Sequence, residues 1–197
     1  MNKTKSRMFK VGGAVAIAGA LIGGTLATAN AAEQATDTAA TGTTEVAAEA
    51  RGGGPRIPQE IAVPAGNRLI GTMAARGQQV YTCTAGAWVF TEPVATMTGR
   101  VNNRPVTAIH FKGPQWESID DGSLVSATSQ ASSPVTGSIA QLLLKATPAA
   151  GSNGVFGKVT FIHRLATSGG AAPAGACTDG TRLGVAYRAE YRFYAAG

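Results

Sequence analysis

His110 and His163 are the only imidazoles in the 197 residues, so acid–base or metal chemistry would centre on them. His110, Asp121 and Ser123 together supply the residue types of a hydrolytic triad. Types alone do not make one. Asp121 and Ser123 straddle Asp120-Asp121-Gly122, which reads as a type I′ hairpin turn, and no Gly-x-Ser-x-Gly elbow occurs. Asp120 and Asp121 as paired acids fare no better, because neighbours on a strand point to opposite faces. Two histidines plus a carboxylate would suit zinc or iron, but no His-x-His or Glu-x-x-His spacing supports this. No metal ligand set is assigned and no cofactor is expected. Aromatic residues are the stronger lead. Tyr81, Trp88, Trp116, Tyr187 and Tyr191 have amphipathic rings, suited to holding a sugar or an apolar ligand at a sheet face or barrel mouth. The ligand-binding candidates are therefore His110, Trp116, Asp121, Tyr81, Trp88 and His163. Each has a plainer reading beside it: rings pack in β cores, Asp121-Gly122 makes a turn, and His163 is a neutral imidazole on a backbone carbonyl.

Strands must position these groups. From Leu69 onward, short apolar or alternating runs are separated by turn residues. Runs 69–75, 78–84, 87–91, 94–98, 106–111, 115–119 and 123–129 are broken by signals such as Arg76-Gly77, Ala85-Gly86, Glu92-Pro93 and Lys112-Gly113-Pro114. Within 106–111, Ile109 and Phe111 share one face and His110 takes the other with Ala108. Residues 155–164 form a further run, in which His163 falls with Val159 and Phe161 and points inward. The run 139–146, with Leu142-Leu143-Leu144, reads as a strand, with a short helix as the alternative. The last strand is the clearest. Val185, Tyr187, Ala189, Tyr191 and Phe193 share one face, while Arg188, Glu190 and Arg192 lie on the other. The pattern predicts an all-β, single-domain antiparallel sandwich or barrel of about 8–10 short strands.

Residues 1–31 read as a signal peptide. Lys3, Lys5, Arg7 and Lys10 precede an apolar stretch of small residues, and Ala29-Asn30-Ala31 places cleavage after Ala31. The stretch is short and weakly hydrophobic for a membrane anchor, so the mature chain is expected outside the cell with no membrane span. Residues 32–54, rich in Ala, Thr and Gly and lacking aromatics, read as a flexible linker ahead of a β domain at 55–197. Of the 17 basic residues four leave with the leader, so the exported chain is only slightly basic against its 11 acids. Its Lys and Arg residues are scattered singly, which argues against nucleic acid as a partner. Cys83 and Cys177 make an isolated pair without Cys-x-x-Cys spacing. In an exported chain that predicts a disulfide closing a long loop, worth about 4–5 kcal/mol on the chain-entropy model.

Read in order, several motifs resemble a known family. They are Tyr81-x-Cys83, Trp88, His110-Phe111-x-Gly113-Pro114-x-Trp116, Asp121-Gly122-Ser123, Leu142-Leu143-Leu144, Thr167-x-Gly169-Gly170-x-x-Pro173, Cys177 and Tyr187-x-Ala189-x-Tyr191-x-Phe193-Tyr194. Over about residues 57–194 they resemble an uncharacterised family of secreted bacterial and fungal proteins, some of whose fungal members carry a malate dehydrogenase label. Ala140-Gln141 stands here where the family has Pro-Trp. The resemblance implies the fold and secretion, and no activity. A dehydrogenase is excluded on the residues, because no Gly-x-Gly-x-x-Gly joins a strand to a helix. The expectation is a secreted binding or cell-envelope-associated module for a cell-wall glycan or small ligand. The alternative is a metal-dependent or hydrolytic extracellular enzyme using His110 and Asp121.

Overall fold

The structure is a computed structural model and describes residues 55–197; the leader, cleavage site and linker expected within 1–54 lie outside the described residues. After a 3-10 turn at Gln59–Ile61 come eight strands. They are β1 (Asn67–Thr84), β2 (Ala87–Val101), β3 (Arg104–Phe111), β4 (Gln115–Ser118), β5 (Leu124–Ser133), β6 (Gln141–Ala150), β7 (Val159–Gly169) and β8 (Arg182–Ala196). Each pairs antiparallel with the next, and β8 pairs back onto β1, closing the sheet into a barrel. Closure gives every described strand a neighbour on both sides, although the outer part of β2, residues 87–94, extends beyond β3. Of the sandwich and the barrel, the molecule is the barrel, and the run at 139–146 belongs to a strand.

Period-two alternation fills the inside. Met73 and Ala75 of β1, Met97 of β2, Ala108 of β3, Val125 of β5, Ile162 of β7 and Tyr191 and Phe193 of β8 are all buried in one continuous core. Alanines such as Ala75 and Ala108 alternate with large residues such as Met73, Met97 and Tyr191, which fills the narrow interior of an eight-stranded barrel.

Two expected turns are absent. Arg76-Gly77 and Glu92-Pro93 lie inside β1 and β2, which run to 18 and 15 residues. A strand this long must coil to close a small barrel. Gly77 allows the close approach, since a Cβ there would overlap the Val94 carbonyl and Ala95. Pro93, with no N–H to give the ladder, is tolerated beside the bulge that shifts the β1–β2 register between Val80 and Tyr81. The tight hairpin turns fall elsewhere. Ala85-Gly86 joins β1 to β2 and Asn102-Asn103 joins β2 to β3, and both residues of each pair have positive φ, as a type I′ turn needs. The type I′ turn expected at Asp121-Gly122 does not form. Only Gly122 has positive φ there, and a longer loop closes with its N–H donating to Ser118 O at 2.9 Å.

The connections sort the barrel into two ends. Residues 85–86, 112–114, 134–140 and 170–181 lie at one end, and 102–103, 119–123 and 151–158 at the other. At the first end Cys83 and Cys177 form the expected disulfide, 94 residues apart in sequence. It ties the last turn of β1 to the long β7–β8 loop, helped by Cys83 N–H donating to Thr181 O at 2.8 Å. Outside the barrel, Ile61 packs with Leu143 and Leu165 in a second, smaller core, so the segment before β1 straps the outer face of β6 and β7. The Ser133 hydroxyl donates to Glu60 at 2.7 Å and holds that strap to β5.

Candidate ligand cavity at the barrel mouth

Inside the disulfide end a cavity of about 710 Å³ opens among β1 to β8. One wall is an aromatic stack. His110 and Trp116 face each other across the β3–β4 pairing, rings parallel within 6° and centroids 4.3 Å apart. Tyr191, reaching in from β8, meets both rings edge-on at 5.4 and 5.7 Å. Leu142, Leu144 and Ile139 form an aliphatic wall, and half-exposed Phe90 stands at the rim. Tyr81 closes the side by donating its hydroxyl to Gly170 O at 2.6 Å. Gly170, at φ +75°, lets the β7–β8 loop pass directly over Gln79 and Tyr187, where a Cβ would press on both.

The polar groups here are poorly partnered. Six buried side-chain polar atoms lack a hydrogen-bond partner among the described residues, and four of them sit together at this site. They are Gln79 Nε2, Trp116 Nε1 and the hydroxyls of Tyr187 and Tyr191. Gln79, Trp116 and Tyr191 line the cavity itself, and Tyr187 packs beside Gln79 just behind. Tyr187 faces Gln79 and Tyr191, and Tyr191 faces Arg164, without closing full hydrogen bonds, and a buried donor left unmade costs about 1–3 kcal/mol. Burial, then the neighbouring Tyr191, pushes the Tyr187 hydroxyl far above its ordinary range; burial does the same for Tyr191. Both are neutral donors.

His110 is 3% exposed. Its Nδ1 lies 2.8 Å from Gln115 O, and a carbonyl can only accept, so Nδ1 carries the proton and Nε2 is left as an acceptor. Burial pushes this imidazole down to about 4; the Gln115 carbonyl opposes that and the charge of Arg164 adds to it. Arg164 projects from β7 into the cavity wall, its Nε donating to Ala140 O at 3.0 Å. The candidate residues thus divide. His110, Trp116 and Tyr81 share the cavity, together with Tyr191. Trp88 stands on the β1–β2 hairpin beside Cys83 and does not line it.

Asp121 lies at the opposite end. Its Oδ1 accepts from the Ser123 N–H at 3.0 Å and the Ser123 hydroxyl at 2.7 Å, and Oδ2 accepts from the Val155 N–H at 2.8 Å. Burial opposes ionisation there, but these bonds, with the nearby Ser118 hydroxyl, outweigh it and bring the carboxyl down to about 2. The carboxylate latches the 151–158 loop and does not meet His110. The triad of His110, Asp121 and Ser123 is therefore not assembled.

His163 corrects an expectation. It is fully buried, but on the outer face of β7 beneath the strap, not inside the barrel. A bulge between Val159 and Phe161 shifts the phase, so Ile162 and Arg164 turn inward and His163 outward. Its Nε2 donates to Ile61 O at 2.6 Å, and its Nδ1 accepts from the Tyr194 hydroxyl at 3.1 Å. The same bulge hid Arg164, which alternation from Val159 would place among the solvated charges. Gln79 was hidden by the supposed turn at Arg76-Gly77, which broke the count along β1. Among the described residues no three His, Cys, Asp or Glu side chains come together as metal ligands would.

Fold and site together define a closed eight-stranded up-and-down barrel with an aromatic cavity at its disulfide end. Residues 64–195 match a family described as protein of unknown function (DUF3455), and the chain belongs to that family. No curated protein and no solved structure matches the chain.

Proposed function

We propose that the protein is a secreted binding module that holds one small, partly apolar ligand in the mouth of its barrel. The observation that carries this reading is a largely apolar cavity walled by the His110–Trp116 stack, Tyr191 and Leu142, with Arg164 in its lining. A concave, mostly apolar space with a few polar side chains in its lining is what a pre-formed ligand site provides. At about 710 Å³ the cavity is sized for one small molecule or a single sugar unit, within the usual range of roughly 300–1,000 Å³. An eight-stranded barrel is just wide enough for that. The disulfide suits an oxidising compartment, and the leader-like residues 1–31 supply the route to it.

Trp116 reports on the site directly. In a Trp88→Phe variant all tryptophan emission comes from Trp116. N-phenyl-1-naphthylamine and 8-anilinonaphthalene-1-sulfonate absorb in that range and fluoresce in apolar surroundings. Saturable energy transfer from Trp116 to at least one dye, abolished by filling the cavity with Ala127→Trp in a Trp88→Phe, Trp116→Phe background read by direct dye excitation, is the expected result. Absence of saturable binding for both dyes would remove the binding reading.

A further inference from the structure

We infer that the ligand is an organic anion, an apolar body ending in a carboxylate or similar acceptor-only head that Arg164 receives. This rests on the binding reading above and goes on to name the ligand class. The first ground is charge. The cavity lining includes two cations, Arg164 and Lys112, and no Asp or Glu. The second is how Arg164 is held. Elsewhere on the barrel Arg182 meets Glu92 at 2.6 Å and Arg192 meets Glu190 at 2.7 Å. Arg164 has no acidic partner among the described residues. Its one full hydrogen bond runs from Nε to the Ala140 carbonyl, which anchors the stem, and the guanidinium otherwise faces the neutral Tyr191 hydroxyl. A fork of that shape matches a carboxylate or sulfonate bidentately.

The third ground is the sense of the remaining groups. Gln79 Nε2 and Trp116 Nε1 can only donate, and a neutral tyrosine hydroxyl donates well. An acceptor-only head matches the donor sense of these walls. An ammonium ligand would add donors to a site already rich in them and meet a positive field. The guanidinium charge is felt at His110, Tyr81, Tyr187 and Tyr191 alike, so the field in this end of the barrel is positive.

The two dyes test this separately from the binding reading, because they share the anilinonaphthalene frame and differ by one sulfonate. In the Trp88→Phe background the sulfonate dye is expected to bind roughly tenfold or more tightly than the neutral one, the size of a charge-assisted bond in a sheltered site. Arg164→Gln should erase most of that preference while changing neutral-dye affinity by less than about threefold. Arg164→Lys, which keeps the charge and loses the fork, should restore part of it, and guards against misreading a folding defect. Equal affinity for the two dyes, or a preference untouched by Arg164→Gln, overturns the anion assignment while leaving the cavity a binding site. A preference lost on Lys112→Gln instead would also overturn it, since the charge would then be read at the rim.

Discussion

The two ends of the barrel are built from the same eight strands and treat their polar groups in opposite ways. At the end closed by residues 151–158, one carboxylate, that of Asp121, collects two backbone N–H groups and a hydroxyl, and Ser123 Oγ in turn accepts from the Phe156 N–H at 3.1 Å. Phe156 and Phe193 pack beneath with centroids 4.8 Å apart and plug the end. There, among the described residues, Ser118 Oγ beside Asp121 is the one buried side-chain polar atom without a full hydrogen bond. At the disulfide end four buried donors go without partners and an arginine goes without an acid. Polar groups that are satisfied internally build structure; polar groups held buried and unsatisfied store free energy that a ligand can release. The contrast is what separates scaffold from site in a molecule whose strands look alike along their length.

Removing the staple should give the largest effect, and should act unevenly. Cys83→Ser with Cys177→Ser frees a 94-residue connection and is expected to lower stability by about 4–5 kcal/mol, read by urea denaturation. Because the bridge sits at the mouth, amide exchange should quicken first at 170–181 and around Thr84, with 151–158 following only on global unfolding. Equal loosening of both ends would show that the mouth owes no special rigidity to the bridge.

Acid should weaken the mouth next. The His110 imidazole titrates near 4 in the folded protein and near 6.5 when unfolded, so the unfolded chain binds the proton first. Stability from this group is therefore fully present above about pH 6.5 and falls as the pH drops toward 4, by about 3 kcal/mol in all. His163, also held below its ordinary value by burial, tilts the curve the same way. The His110 share is the difference between the wild-type curve and that of His110→Asn. A difference that stays flat between pH 6.5 and 4 would mean the imidazole is charged in place.

Alternation within single strands carried much of this architecture, and bulges limited it. Along β8 the inward set of Tyr187, Ala189, Tyr191 and Phe193 is buried as the spacing of the residues foretold. His110, Trp116 and Tyr81 were candidates on residue type, and the β3–β4 register is what brings the first two into a stack. Arg164 and Gln79 were invisible for different reasons. The bulge at Thr160 does not declare itself in composition. By contrast, β1 keeps its alternation through Gly77, and Gln79 was lost to a turn signal that the strand overrides. Asp121 misled for a different reason: Asp-Gly is a strong local turn signal, yet the carboxylate's bond to the Val155 N–H is a tertiary contact 34 residues away.

The smallest predicted effects are the most discriminating, because they differ in sign. Asp121→Ala strips two backbone N–H groups and a hydroxyl of their acceptor at the plugged end. Asp121 itself is exposed and water can replace part of what is lost, so the cost should be only about 1 kcal/mol. Tyr187→Phe deletes one unpartnered buried hydroxyl at the mouth and keeps the ring. With only the loose contacts to Gln79 and Tyr191 to lose and a desolvated group removed, it should raise stability by up to about 1 kcal/mol. Neither change should alter dye binding, since neither side chain lines the cavity. If Tyr187→Phe instead destabilises by as much as Asp121→Ala, the hydroxyl has an internal partner. The two ends would then obey the same rule, and the stored free energy assigned to the mouth would not be there.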